Sequence, residues 1–332
     1  MQLDQLKRRE FISLLGGTAV IWPLAALAQQ PAMPVIGFIQ TGPTDISPRF
    51  AAAFREGLKQ TGNVAGQNVT VEYYWMESQS DSLQELMADL VRRRVAVIVA
   101  PSTAVALAAK AATATIPIVF GFAEDPVTLG LVASLARPGG NATGIRFVVQ
   151  EDVAKRLGLL QLLVPKSVSV AVLVNPANAP ITETTLRDAQ EAARTIGLQI
   201  HVLNAGTSSE IDAAFATFAH ERPDALFVAA DAFFAGRRVQ LANLAARNRI
   251  PATYSNRDYV TAGGLMSYGT DLADTYRQVG VATGSILRGA KPADLAVVQS
   301  TKFEFLINRR TARALGIAVP PGLLGVADEV IQ

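Results

Sequence analysis

The chain has 332 residues, 50% of them hydrophobic and 17% charged, with a formal net charge of +2 at pH 7 and no cysteine. That balance describes a compact globular protein and lacks the concentrated basic character of a nucleic-acid binder. It also excludes disulfides, thiolate metal sites and a cysteine nucleophile, and the length exceeds one ordinary core and suits two lobes.

The N-terminus reads as an export signal. Lys7, Arg8 and Arg9 precede Phe11-Ile12 and an apolar run over 14–27, which Gly16, Gly17 and Pro23 interrupt and which ends in Ala26-Leu27-Ala28. Small residues there suit a signal peptidase, so residues 1–28 are read as a signal peptide and the mature chain as starting at Gln29, with no membrane insertion after cleavage. The paired arginines resemble a twin-arginine signal, although Lys7 stands where that motif has Ser or Thr, and a general secretory signal fits the same residues. Either route predicts a protein outside the cytoplasm. A lipid anchor needs a cysteine at the cleavage site, and there is none.

From residue 35 onward, short runs rich in Val and Ile alternate with segments of helical spacing, the pattern of βα units around a parallel sheet. In a first lobe it predicts strands over 35–40, 69–75, 95–100 and 116–122, with helices over 49–60, 83–93 and 105–112. The pattern restarts after Arg137-Pro138-Gly139-Gly140-Asn141, with strands over 170–175, 199–204, 225–230 and 251–255 and helices over 182–195, 209–219 and 237–247. A glycine-bounded strand over 263–269 and a long helix over 272–287 are expected to return to the first lobe. A strand over 303–308 and a helix over 310–315 then complete the second. The expected fold class is α/β, with residues 29–145 plus about 265–290 in one lobe and 146–264 plus about 291–332 in the other. A cleft between such lobes is a natural place to enclose a small ligand.

Ligands of open parallel sheets bind beyond the carboxyl ends of the strands. In the first lobe those ends carry Gln40-Thr41-Gly42, Pro101-Ser102-Thr103 and Glu124-Asp125-Pro126. In the second they carry Asn175-Pro176-Ala177-Asn178, Asp231-Ala232-Phe233-Phe234 and Tyr254-Ser255-Asn256-Arg257. Ser102 and Thr103 open a helix and suit a carboxylate or another small anion, while Asp231 suits an ammonium group. Each also fits an ordinary helix cap. Phe233, Tyr254 and Tyr268 offer apolar walls, or ordinary core, and turn chemistry alone explains Glu124 and Asp125 before Pro126. The argument for a site is the convergence of these groups.

Catalytic patterns are scarce. His201 and His220 have no second metal ligand nearby in the pattern, and Gly264-Leu265-Met266-Ser267-Tyr268-Gly269 has one residue too many for a nucleophile elbow. No phosphate-cradling G-x-x-x-x-G-K occurs, nor G-x-G-x-x-G after the first strand. Asn141-Ala142-Thr143 matches a glycosylation acceptor, but the signal is bacterial in character. No metal or cofactor is expected.

Longer stretches carry a resemblance. Ile116-Pro117-Ile118-Val119-Phe120, Asp125-Pro126-Val127, Gly130-Leu131-Val132 and the run from Ser134-Leu135-Ala136 through Arg137-Pro138-Gly139-Gly140-Asn141-Ala142-Thr143-Gly144 resemble a family of ABC-transporter substrate-binding proteins, the one that includes tryptophan- and tyrosine-binding lipoproteins. Leu173-Val174-Asn175-Pro176, Ser267-Tyr268-Gly269, Ile286-Leu287-Arg288-Gly289-Ala290-Lys291-Pro292, Phe303-Glu304-Phe305-Leu306-Ile307-Asn308 and Ala327-Asp328-Glu329-Val330-Ile331 continue it over nearly the whole mature chain.

The resemblance implies a type I periplasmic-binding-protein fold of two Rossmann-like lobes with three crossings. It implies a monomeric capture protein that hands a small amphipathic ligand, such as an amino acid, to a membrane permease with separate ATPase subunits. On that reading Ser102 and Thr103 contact a carboxylate and Asp231 an amine. The cysteine-free signal departs from the lipid-anchored members and implies free diffusion in a Gram-negative periplasm. Three rivals share parts of this pattern. A regulator's effector lobe would carry a helix-turn-helix in place of the signal, an exported sensor would use the same closure, and an exported hydrolase would need a nucleophile–base pair that is not identifiable.

Overall fold

In the computed structural model, which describes residues 33–41, 47–76, 81–147 and 152–332, the chain builds two sheets in turn and then returns to each. The predicted signal peptide lies outside the described residues. The first pass makes β1 (Val35–Thr41), α1 (Ser47–Gln60), β2 (Thr70–Met76), α2 (Asp81–Arg92), β3 (Val97–Ala100), α3 (Thr103–Ala112), β4 (Ile118–Phe122) and β5 (Ala142–Phe147). The second makes α4 (Asp152–Leu163), β6 (Ser169–Val174), α5 (Ala179–Ile196), β7 (Gln199–Asn204), α6 (Ser208–Glu221) and β8 (Ala225–Val228). It continues through α7 (Ala232–Gly236), α8 (Arg238–Arg247), β9 (Ala252–Tyr254), α9 (Arg257–Thr261) and β10 (Met266–Thr270). The chain recrosses for α10 (Leu272–Leu287) and β11 (Val298–Ser300), then crosses back for β12 (Phe303–Asn308), α11 (Arg309–Leu315), α12 (Pro321–Val326) and β13 (Glu329–Ile331).

The first sheet runs β11-β5-β4-β3-β1-β2, with each of these pairs parallel. The second runs β13-β12-β10-β9-β8-β6-β7, parallel except between β10 and β12.

Alternation along the strands explains why the first sheet is covered on both faces. Ile36, Phe38, Val97 and Val99 face one way and pack with Phe54 and Leu58 of α1 and Val279 of α10. Ile39, Ile98, Ala100 and Phe120 face the other way and pack with Leu90 of α2 and Val105 of α3. A strand buried on both sides must be apolar at every position, which is why Val-Ile-Val-Ala of β3 lacks polar residues. Helices α1 and α10 approach closely enough that a Cβ at Gly57 or Gly280 would overlap the backbone oxygen of Arg277 or Phe54.

Two elements differ from expectation. Strand β11 falls within the stretch expected in the second lobe (about 291–332) but pairs with β5 in the first sheet, because the chain crosses back only after Ser300. The strand expected over 263–269 as a return to the first sheet is β10, and it lies in the second sheet between β9 and β12. Only the short helix α9 separates it from β9, so the chain has just enough length to reach the adjacent position and continue the sheet. The crossing comes after the strand, at Asp271, whose carboxylate caps α10 by accepting from the Asp274 N–H at 3.0 Å. The sequence pattern also left out β5 and α4, which form the joint between the first pass and the second.

Candidate functional site

The carboxyl ends of the strands from both sheets line one cleft of about 350 Å³. From the first sheet come Pro101, Ser102 and Thr103 after β3, Phe122, Ala123 and Glu124 at the end of β4, and Phe147 at the end of β5. The second contributes Asn178 and Ile181 at the start of α5, Ala230, Asp231, Ala232 and Ala235 around α7, and Ser255 and Asn256 after β9. Thr270 and Leu272 flank the crossing into α10.

Ser102 occupies the cap position of α3 in extended backbone, φ −136° and ψ 153°, yet its side chain makes no capping hydrogen bond. Both the Ser102 and Thr103 hydroxyl oxygens are buried without a hydrogen-bond partner among the described residues. The N–H groups of a first helical turn have no intrahelical partner either, and the turn carries partial positive charge. Two hydroxyl donors and a helix N-terminus therefore meet at one wall of the cleft, an arrangement that accepts a carboxylate.

Asp231 stands on the other sheet and does cap its helix. Its Oδ1 accepts from the Phe233 N–H at 2.9 Å, the Phe234 N–H at 3.4 Å and Asn175 Nδ2 at 3.1 Å. Asn178 Nδ2 donates to Oδ2 at 3.1 Å. Four donors thus fix the carboxylate plane, and because most of them converge on Oδ1, Oδ2 retains capacity for a cationic donor. Asn175 is itself held by the Ala177 N–H, which donates to its Oδ1 at 3.1 Å. Among the described residues, the ionisable side chains lining the cleft are Asp231 and Glu124, both acidic. A ligand bearing two negative charges would meet them at a Coulombic cost, whereas a zwitterion can place its cation at Asp231.

Of the twelve residues expected from the sequence, the cleft brings together Ser102, Thr103, Glu124, Asn178 and Asp231. Asn175 lies behind Asp231. Gln40 is buried, and its Oε1 accepts from the Tyr276 hydroxyl at 2.9 Å, tying β1 to α10. Thr41 ends β1. Asp125 Oδ1 accepts from the Val127 N–H at 2.8 Å and closes a turn. The three aromatic walls are elsewhere. Tyr254 is fully buried and stacked on Tyr259 with centroids 4.7 Å apart, and burial pushes its hydroxyl pKa upward. Phe233 packs beneath the Arg237 guanidinium at 5.4 Å, and Tyr268 stacks on Phe303 at 5.6 Å.

The apolar walls are instead Phe122, Phe147, Ile181 and Leu272. Phe122 and Phe147 are the last residues of their strands, and Ile181 and Leu272 stand in the first turn of their helices. Phe122 and Phe147 sit at the strand tips, one step short of the residues beyond the strands. His201 and His220 are both exposed and belong to β7 and α6, away from the cleft.

The arrangement has known relatives. Residues 47–331 match the family described as ABC transporter substrate binding protein. A tyrosine-binding protein of Clostridioides difficile (strain R20291) is 29% identical over 264 residues, 79% of this chain and 75% of its own length. Among solved structures, an ABC domain in complex with L-Trp from Streptococcus pneumoniae gives a TM-score of 0.76 at 25% identity, covering 90% of this chain and 99% of that one. The ligand-free, open structure of a substrate binding protein with adhesive properties from Clostridium difficile gives 0.70 at 24% identity over the same shares, a likeness of fold. Two lobes built on parallel sheets, with strand ends facing a shared cleft, make the type I periplasmic-binding-protein fold. These are proteins that bind a substrate without transforming it. With the match spanning most of its length, the chain belongs to the ABC transporter substrate-binding protein family.

Proposed function

We propose that this chain is the extracytoplasmic capture component of an ABC importer, and that its ligand is an amino acid with an apolar side chain or a closely related amphipathic carboxylate. The observation that carries the reading is the pairing across one cleft of two buried hydroxyls at a helix N-terminus, partnerless among the described residues, with a carboxylate held by four donors. The ligand carboxylate lies at Ser102 and Thr103, its amine at Asp231, and its side chain against Phe122, Phe147, Ile181 and Leu272. Relatives that bind tyrosine or carry bound L-Trp support the same class. Ligand contacts from both sheets favour closure, and a permease with separate ATPase subunits receives the closed form. The predicted export signal supports an exchange outside the cytoplasm, in a Gram-negative periplasm.

Calorimetry on residues 29–332 tests the assignment, with L-tyrosine, L-tryptophan, L-phenylalanine and L-leucine compared with the same compounds lacking the amine or with the carboxylate amidated. Binding that weakens at least tenfold when either group is removed is the expected result. Small-angle scattering should show compaction with every ligand that binds, and a bound ligand that leaves the radius of gyration unchanged would overturn capture by closure.

A further inference from the structure

Arg49 stands where its own helix gives it no reason to stand. It lies in the first turn of α1, where the helix dipole disfavours a cation and which holds no acidic residue. Its Nη1 reaches instead to Oδ1 of Asp258 at 3.3 Å, in the first turn of α9 on the other sheet. Both helices begin at the carboxyl ends of their sheets, and Asn256, two residues before Asp258, lines the cleft. This ion pair therefore spans the gap that opens when the lobes part.

The surroundings of the pair are incompletely satisfied in a complementary way. Nε and Nη2 of Arg49 are buried without a hydrogen-bond partner among the described residues, and so is Oε1 of Glu304. Glu304 follows the last crossing on β12, and its Oε2 accepts from Arg257 Nη1 at 3.1 Å. Asp271 marks the preceding crossing, with its Oδ2 2.9 Å from Lys302 Nζ. The Arg49 charge favours the ionised form of both carboxyls, which puts it within electrostatic reach of each. One cation from the first lobe thus faces Asp258, Asp271 and Glu304 beside two of the three crossings.

We propose that Arg49 is an interlobe clasp, a positioning residue that raises the population of the closed arrangement without touching the ligand. The clasp rests on the capture reading only for its effect on affinity. In a two-state equilibrium, lowering the closed population raises the apparent dissociation constant in proportion.

The absence of native cysteine makes the test direct. Spin labels at Gln84→Cys on α2 and Glu191→Cys on α5 report the distance between lobes in the ligand-free protein. Arg49→Met, which keeps much of the stem and removes the charge, should lengthen and broaden that distance distribution. Asp258→Asn should reproduce the change, and the double variant should add little to either single one. Unchanged distances in Arg49→Met and Asp258→Asn would overturn the clasp, including the case in which only the melting temperature falls. Should Arg49→Met fail to fold, Asp258→Asn with Arg49→Lys gives the same comparison, with the lysine variant expected to stay nearer the native distribution. With L-tryptophan as probe, the Arg49→Met dissociation constant should rise about 5–50-fold. A native protein that binds no L-tryptophan would count against the ligand assignment, while the ligand-free distances would still decide the clasp.

Discussion

The hydroxyls of Ser102 and Thr103 allow ligand binding to be separated from folding. Each is buried without a partner among the described residues, and an unpartnered buried hydroxyl costs about 1–3 kcal/mol. Ser102→Ala with Thr103→Val removes both groups while nearly preserving volume, and it sacrifices no cap bond because Ser102 makes none. Taking about 1 kcal/mol for each hydroxyl, the ligand-free variant gains roughly 2 kcal/mol, which at about 2–4 °C per kcal/mol raises the melting temperature by roughly 4–8 °C. Binding should move the other way. Hydrogen bonds to a charged group contribute about 1.5–3 kcal/mol each, so losing two weakens a carboxylate ligand about 100-fold or more. Differential scanning fluorimetry without ligand and calorimetry with the best-binding amino acid read the two quantities. A lower ligand-free melting temperature in the variant would refute the argument and return Ser102 to the role of an ordinary helix cap.

Asp231→Asn keeps a residue that caps well and removes the charge, so stability should change by less than about 1 kcal/mol while an amine-bearing ligand weakens at least tenfold. Equal losses of melting temperature and affinity would leave only the cap role. Gly280→Ala forces a Cβ into the Phe54 carbonyl, and overpacking of this kind costs about 1–3 kcal/mol, measured by denaturant melts; a neutral result would mean that α1 and α10 are not so closely packed. Glu304 supplies a pH dependence. Burial raises its carboxyl above the ordinary value of 4.5 despite the Arg257 charge. The folded protein therefore holds that proton more tightly than the unfolded chain, and the associated stability is full at the acid end and lost as pH rises from 4.5 through the raised folded value. Glu304→Gln should remove that contribution from the pH dependence of the melting temperature between about pH 4 and 7, and identical slopes would contradict it.

Both the alternation of strands and helices and the positions of Ser102, Thr103 and Asp231 at the cleft were readable because single local rules govern them. Val-Ile-Val-Ala followed by Pro-Ser-Thr can only be a buried strand opening into a helix, and an acid directly after an apolar strand lands at the strand tip. Phe147 escaped because Gly144 and Arg146 break the apolar run of β5. Yet Gly144 is what the packing demands, since a Cβ there would strike the backbone oxygen and ring of Phe120. The residue that hides the strand from a pattern is the one that lets it pack. Tyr254 misled for a related reason. Its ring fills space left open by the missing side chain of Gly264, which no local rule connects to a strand ten residues earlier. Arg49 has no local signature, because its partners lie on a different lobe and beside distant crossings.

The return of α10 to the first sheet ties the order of synthesis to the order of folding. When Phe147 leaves the ribosome the first five strands exist, but the apolar face of Ile36, Phe38, Val97 and Val99 still lacks the helix that covers part of it. That helix begins at Leu272, 125 residues later, a delay of roughly 6–25 s at ordinary elongation rates. Throughout that interval the second lobe is being made while this face of the first remains partly uncovered. The nascent chain thus stays unfinished through most of its synthesis, and it closes into a complete fold only once its last third has emerged.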